Sequence, residues 1–294
     1  MEKISLINLM FQVAITVNFK DIGANGNKGK IDLVNKMIKC TNENKNELLT
    51  FLKHNPAENC FIIGDLENYS MDEEFIEIWM IRKKKNITTV LLRFYNYYTV
   101  STHDEDDIEE IINHLNAEKE LITLTGVESV IDKISKGMEF SKIKRANFAE
   151  LIEIKNYKEN LLIDIKKANI EEINELFEFH KSIKEFEVKE ESKENFGKEL
   201  LDNTGRIYYT RENKKIVSMA MITAENSVNG MIMGVATAQK YRRKGYARAI
   251  VQEICKSMID NGKSVVLFYD NPEAGKMYKE IGFEDINRQA TIYA

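Results

Sequence analysis

The stretch Val235-Ala236-Thr237-Ala238-Gln239-Lys240-Tyr241-Arg242-Arg243-Lys244-Gly245-Tyr246-Ala247 decides how the second half of this chain is read. A β-rich run from Met231 to Gln239 leads into it. Behind it Ala247, Ile250, Val251, Ile254, Cys255 and Met258 recur at helical spacing until Asn261-Gly262 stops the helix. Three cations and a glycine thus fall between a strand and the first turn of a helix. Unpaired N–H groups converge at such a point, and the helix dipole adds partial positive charge. Arg242, Arg243 and Lys244 oppose that dipole, so the segment is built for an anion that reconciles the two. Gly245 permits close backbone approach and unusual dihedrals, and Ala247, one residue beyond Tyr246, keeps the next turn slim.

Working outward, the patterns from Asn160 onward run strand, helix, helix, strands, helix, strand, helix, strand, which predicts an α/β domain over 160–294. A strand is expected at Leu161–Ile165, followed by the capping box Asn169-Ile-Glu-Glu172. Arg206–Thr210 and Ile216–Thr223 read as strands joined through Glu212-Asn213-Lys214, and Asn229-Gly230 reads as the next turn. Val265–Tyr269 is a short apolar strand before a helix that starts near Pro272 and ends at Gly282. A second run of interest lies there: Asn271-Pro-Glu-Ala274-Gly-Lys-Met-Tyr278-Lys-Glu-Ile-Gly282-Phe283.

These two segments resemble the GNAT acetyltransferase superfamily. Arg242, Gly245 and Ala247 meet its R/Q-x-x-G-x-G/A signature, and the second segment is similar to its N-x-x-A-x-x-x-Y-x-x-x-G-F pattern. The resemblance implies a mixed, largely antiparallel sheet flanked by helices, with acetyl-CoA as co-substrate and no metal. It implies that Val235, Ala236 and Thr237 offer backbone to the pantetheine arm and that residues 242–247 hold the diphosphate. Asn271 would touch the coenzyme arm, Ala274 would give it room, and Tyr278 would protonate the departing thiolate. Gln239 stands where the family often has proline. For the general base, Glu225 and Asp270 are the two carboxylates at strand ends, with Glu225 the chosen one. The acceptor implied is a primary amine of a small molecule or peptide. Two other readings are a non-catalytic acyl-CoA sensor and transfer from an aminoacyl-tRNA donor.

The first half repeats part of this plan. Laying Asp107–Arg145 beside Ile250–Arg288 without a gap matches helix to helix and strand to strand, which suggests a duplicated fold with a degenerate copy over 37–155. The loop equivalent to 242–247 is Thr99–Asp104, running into Glu105, Asp106 and Asp107, which would repel a diphosphate. Ser135 replaces Tyr278 and Glu128 replaces Asn271. Phe94, Tyr95, Tyr97, Tyr98 and Trp79 read as sheet packing. Residues 1–36 are expected to be an extension. Their apolar run Ile4–Phe19 is broken by Asn8, Gln12 and Asn18, and suits neither a signal nor an anchor.

Composition bounds the rest. The 294 residues are 43% hydrophobic and 30% charged, a globular balance with room for two domains. A net charge of −5 disfavours nucleic acid as the main partner. Cys40, Cys60 and Cys255 lack metal-ligand spacing and suit a reducing, cytoplasmic setting, with Cys255 on the buried stripe. A monomer or homodimer is expected.

Overall fold

The computed structural model describes residues 36–118, 123–155, 157, 163–186, 196, 200 and 204–294. The expected extension at 1–36 lies outside them except for Lys36, as does the start of the strand expected at Leu161.

The N-terminal lobe runs β1 (Ile38–Lys39), α1 (Lys45–Leu52), α2 (Cys60–Asn68), β2 (Ile76–Lys83), β3 (Asn86–Phe94), β4 (Tyr97–Thr102), α3 (Ile108–Ala117), β5 (Thr123–Val127), α4 (Glu128–Ile134) and β6 (Lys142–Leu151). The C-terminal lobe repeats it with β7 (Ile165–Lys167), α5 (Ile173–Lys181), β8 (Arg206–Glu212), β9 (Lys215–Thr223), β10 (Asn229–Thr237), α6 (Tyr246–Ile259), β11 (Ser264–Tyr269), α7 (Pro272–Ile281) and β12 (Glu284–Tyr293). Turn chemistry sets the hairpins. Asn213 and Lys214 both have positive φ, 48° and 66°, as a two-residue connection between right-twisted strands requires.

The twelve strands of the described residues form one sheet in the order β1-β2-β3-β4-β5-β12-β6-β11-β10-β9-β8-β7. Only β4 with β5 and β10 with β11 pair in parallel, so the fold class is the mixed, largely antiparallel sheet flanked by helices. The order shows a reciprocal exchange at the centre. Strand β6, from the first half of the chain, pairs with β11 of the second, while β12 pairs with β5 of the first. The two exchanged strands then pair with each other from Glu284↔Glu150 to Tyr293↔Lys142. A break near 155–160 therefore divides the sequence, whereas the sheet runs across it.

Each face has its own core. Ile250, Val251, Ile254, Cys255 and Met258 of α6 are fully buried against Ile232, Val265 and Leu267, joined by Tyr278, Ile281 and Phe283. Each such side chain contributes about 1.5–3 kcal/mol of apolar burial. On the opposite face α5 packs Leu176 and Phe177 against Met219 and Met221. Cys60 and Phe61 of α2 reach across from the N-terminal lobe to Met231, Met233 and Val266. The aromatic strand residues of the first half pack into these layers: Phe94 against Tyr69 and Phe75, Tyr98 and Trp79 beside Leu91. The three described cysteines are free and buried.

One local expectation is corrected. Asn229-Gly230 does not turn the chain; both residues lie inside β10, paired with Ser264 and Val265. The turn is made by Asn226, whose Oδ1 accepts from the amides of Val228 and Asn229 at 2.8 and 2.9 Å. Its Nδ2 donates to Asn229 Oδ1, and Asn229 Nδ2 donates to Pro56 O across the lobe boundary. The Asn229 side chain is therefore used for lobe docking.

Candidate active site

Strands β10 and β11 pair over only four residues, Asn229–Ile232 with Ser264–Leu267. Beyond that point they part. β10 continues along β9 to Thr237, through a bulge between Met233 and Ala236, and β11 continues along β6 to Tyr269. The side of β10 facing β11 has no strand partner past Ile232 among the described residues. Exposure follows the split: β10 is buried through Met233, and Gly234, Val235 and Thr237 are half-buried. Val235 and Ala274 lean on the α6 core, and Ala236 lies on the α5 face. An extended chain could add to such an open backbone edge as an extra strand does.

The loop after β10 closes the open end. Gly245 is the N-cap of α6 with φ of 88°, and a side chain there would meet nothing within 4 Å, so backbone shape alone demands glycine. Arg243 also has positive φ, 65°, which makes the loop one in which neighbouring amides turn toward a common point. Among the described residues no side chain caps this helix. The first bond into it is Ala249 N–H to Gly245 O at 3.0 Å, so the first-turn amides 246–248 lack intrahelical acceptors.

Two other helix starts are satisfied by side chains of the same segment. Asn271 Oδ1 accepts from Glu273 N at 2.9 Å, so its oxygen caps α7 and only its amide group is free for a ligand. In the N-terminal lobe Asp104 accepts from Asp106 N at the entry to α3. Beside it Asp107, fully buried, takes the Thr88 and Thr89 hydroxyls at 2.6 and 2.8 Å and lies 3.2 Å from the Lys83 ammonium. Internal carboxylates thus occupy the position that is vacant of them at α6.

The loop cations are arranged around this point. Lys244 and Lys240 lie over the Tyr241 ring at 5.2 and 4.8 Å. Arg243 is 83% exposed and 3.4 Å from Glu273. Arg242 turns back instead: its Nε donates to Thr237 O at 3.0 Å and its terminal nitrogens grip Glu185 at 2.7 and 3.0 Å. That pair holds the Glu185 carboxyl below its usual range. Tyr246 donates to Glu212 at 2.6 Å, which points its ring away along the β8–β9 hairpin. Ala247 is half-buried in the first turn.

Tyr278 sits against Tyr269 and Phe283, and burial pushes its phenol well above the ordinary value, which keeps it a proton donor. Glu225 is a correction. It precedes β10, at the end of the strand opposite the loop, about 25 Å away at the usual rise per strand residue. Arg206 at 2.6 Å and Lys263 at 2.8 Å hold its carboxylate there, so it does not face the split. Asp270 is exposed beyond β11, where it lines a cleft of about 610 Å³ with Asn147, Pro272 and Lys276. A residue the sequence reading passed over is His180, at the last turn of α5 and 4% exposed beside the β10 bulge. Its isolation from other chemistry-bearing residues in sequence hid it.

A largely antiparallel sheet flanked by helices that splits between two parallel strands, with a helix start at the split, matches the GNAT fold. The sequence agrees: residues 171–283 match the model of the Acetyltransferase (GNAT) family. No curated protein matches the chain in sequence. Among solved structures it is similar to a Drosophila protein (TM-score 0.65, 11% identity, 88% of this chain and 99% of that one). It is also similar to a tandem GNAT protein from the clavulanic acid biosynthesis pathway (0.58, 11%, 88% and 98%) and to a GNAT-family acetyltransferase from Colwellia psychrerythraea (0.53, 13%, 88% and 99%). Residues 171–283, in the second half of the chain, thus carry the GNAT family domain.

Proposed function

We propose that this protein transfers an acetyl or other acyl group from its coenzyme A thioester to a primary amine of a small molecule or peptide, directly within a ternary complex. The observation that carries this is the start of α6: an uncapped helix, two left-handed loop residues and three cations, set at the open end of the β10–β11 split. The coenzyme fits these residues. The amides of 245–248, with Arg243 and Lys244, would hold the diphosphate, and the free edge of Val235, Ala236 and Thr237 would hold the arm, with Ala274 leaving room. Tyr278 would give its proton to the departing thiolate. An amide near Val235 would steady the oxyanion formed on attack. The buried cysteines supply no nucleophile: burial pushes the thiols of Cys60 and Cys255 far above the ordinary value and that of Cys40 to about 12.

The test is thiol release from acetyl-CoA over a panel of primary amines, with calorimetry of acetyl-CoA binding. Arg243→Ala and Gly245→Asp should weaken binding about tenfold or more, while Tyr278→Phe should lower turnover and leave binding in place. Unchanged affinity in both loop variants would refute the site. Binding without turnover on any amine would instead support an acyl-CoA sensor.

A further inference from the structure

We propose that the cleft on the outer flank of α7 is a second small-molecule site, one that takes a short zwitterion with its ammonium and carboxylate about 7 Å apart, as in a dipeptide. It rests on the cleft alone and not on the acyl-transfer reading above. The cleft encloses about 610 Å³, within the range of small-molecule pockets. Asn147 of β6 and Tyr269 of β11, directly opposite each other in the sheet, form its floor, and the flank of α7 that carries Pro272, Gly275 and Lys276 forms its wall. Ala274 and Tyr278 of the same helix turn instead to the α6 core, so the cleft and the residues proposed for the coenzyme lie on different sides of α7. The floor is fixed in place. A Cβ on Gly275 would stand 2.3 Å from the Tyr269 ring, so the helix rests directly on it, and the Tyr269 hydroxyl donates to Asp285 at 2.6 Å.

Four charged residues line the cleft, and two of them are matched: Lys279 by Asp285 at 2.7 Å, and Glu280 by Arg248. Asp270 and Lys276 have no ion pair or hydrogen bond among the described residues, with each other or with any third group. The local roles that would occupy them are already filled. Asn271 Oδ1 caps α7 by accepting from Glu273 N at 2.9 Å, so Asp270 is not the cap. The acidic residues within a turn of Lys276 are Glu273 and Glu280, and they are turned to Arg243 and Arg248. Between the two vacant charges Asn147 accepts from Arg288 at 3.4 Å through Oδ1, while its Nδ2 has no partner among the described residues.

Spacing selects the ligand. Lys276 lies five residues past the N-cap Asn271, which places it about 7.5 Å along the helix axis from the end where Asp270 stands. An extended dipeptide covers about 7 Å between its termini. Its ammonium meets Asp270, its carboxylate meets Lys276, and its carbonyl takes the Asn147 amide between them, with Pro272 and the Tyr269 ring as apolar contacts. A simple anion would leave Asp270 unmatched and a simple cation would leave Lys276 unmatched. A single α-amino acid, with both charges on neighbouring atoms, reaches one end only.

The experiment titrates glycylglycine into the full ¹⁵N-labelled chain at low salt and follows the backbone amide shifts, with and without saturating acetyl-CoA. Saturable shifts are expected at 269–276 and at Asn147 under both conditions. Glycine, N-acetyl-glycylglycine and glycylglycinamide should each bind about two- to fivefold more weakly, and glycylglycine should lose the same factor in Asp270→Asn and in Lys276→Gln, the worth of one exposed charge contact. Both side chains are exposed, so neither substitution threatens the fold, and the blocked peptides repeat the comparison on unaltered protein. The absence of saturable shifts overturns the proposal. So does equal affinity for the blocked peptides, or unchanged affinity in both variants. Displacement of glycylglycine by acetyl-CoA overturns it too, because the peptide would then occupy the β10–β11 split.

Discussion

Acidification from pH 7 to pH 5 should destabilise this protein through His180, and the size of the effect follows from its surroundings. The ring is 4% exposed among Phe186, Phe196 and Met221, and burial lowers its pKa from 6.5 to about 4. The sign is set by which state binds the proton. Between those two values the unfolded chain protonates and the native one does not, so the stability present above pH 6.5 is lost as pH falls. Each unit of separation is worth about 1.4 kcal/mol, and the interval from pH 7 to pH 5 covers about 2 kcal/mol of the total. His180→Phe removes this titration while keeping the stack on Phe186. The lowered carboxylates, such as Glu67, Glu77 and Asp285, titrate mainly below this interval and are common to both proteins, as is His114. Urea unfolding at the two pH values should thus show wild type losing about 2 kcal/mol more than the variant, a midpoint difference of roughly 0.7–1 M. Equal losses in the two proteins would refute the claim that the buried imidazole is held neutral.

Three more perturbations probe the same architecture. Glu185→Gln should release Arg242 for the coenzyme and tighten acetyl-CoA binding about two- to fivefold at low salt, the worth of an exposed pair, with the gain fading in 0.5 M salt by calorimetry. Gly234→Ala would force a Cβ to 2.2 Å from Met221 Cε at a φ of 57°; a loss of about 1–2 kcal/mol by urea unfolding is expected. Asp107→Ala should cost about 1–3 kcal/mol, because the Thr88 and Thr89 hydroxyls lose their shared buried acceptor while Lys83 keeps Asp104, and differential scanning calorimetry would register it as a lowered Tm.

Much of the C-terminal lobe was legible because its signals are local. The helical spacing from Ala247 to Met258 and the capping box at Asn169 appear where the residues place them, with Asn169 and Glu172 bonded reciprocally. The duplicated plan was legible as well, since the shift that lays Asp107–Arg145 on Ile250–Arg288 brings α3 onto α6, β5 onto β11 and α4 onto α7. What stayed hidden depends on partners far along the chain. Nothing local in Lys142–Leu151 says that it will pair with β11 rather than β5. Asn229-Gly230 carries a turn signal, yet Asn226 makes the turn and the Asn229 side chain is committed to Pro56. Glu225 looked free because Arg206 and Lys263, its two cations, lie 19 and 38 positions away in the chain. The burial of His180 was not legible because its neighbour, the Gly234 bulge, belongs to another element.

The two lobes answer the same physical problem in opposite ways. Both place a helix start beyond a pair of parallel strands that separate, after Thr99↔Thr125 in one and Ile232↔Leu267 in the other. Orphan amides there need an anion. The N-terminal lobe supplies it from its own chain: Asp104 binds the Asp106 amide, and Lys83 with the two threonine hydroxyls neutralises Asp107. The C-terminal lobe leaves the amides of 246–248 without a side-chain cap among the described residues and sets cations beside them, a costly state that the proposed diphosphate would relieve. Because β6 and β12 are exchanged between the lobes, the self-satisfied copy braces the strained one directly. The strand beside β11, which forms one wall of the split, is contributed by the lobe whose own anion site is filled from within.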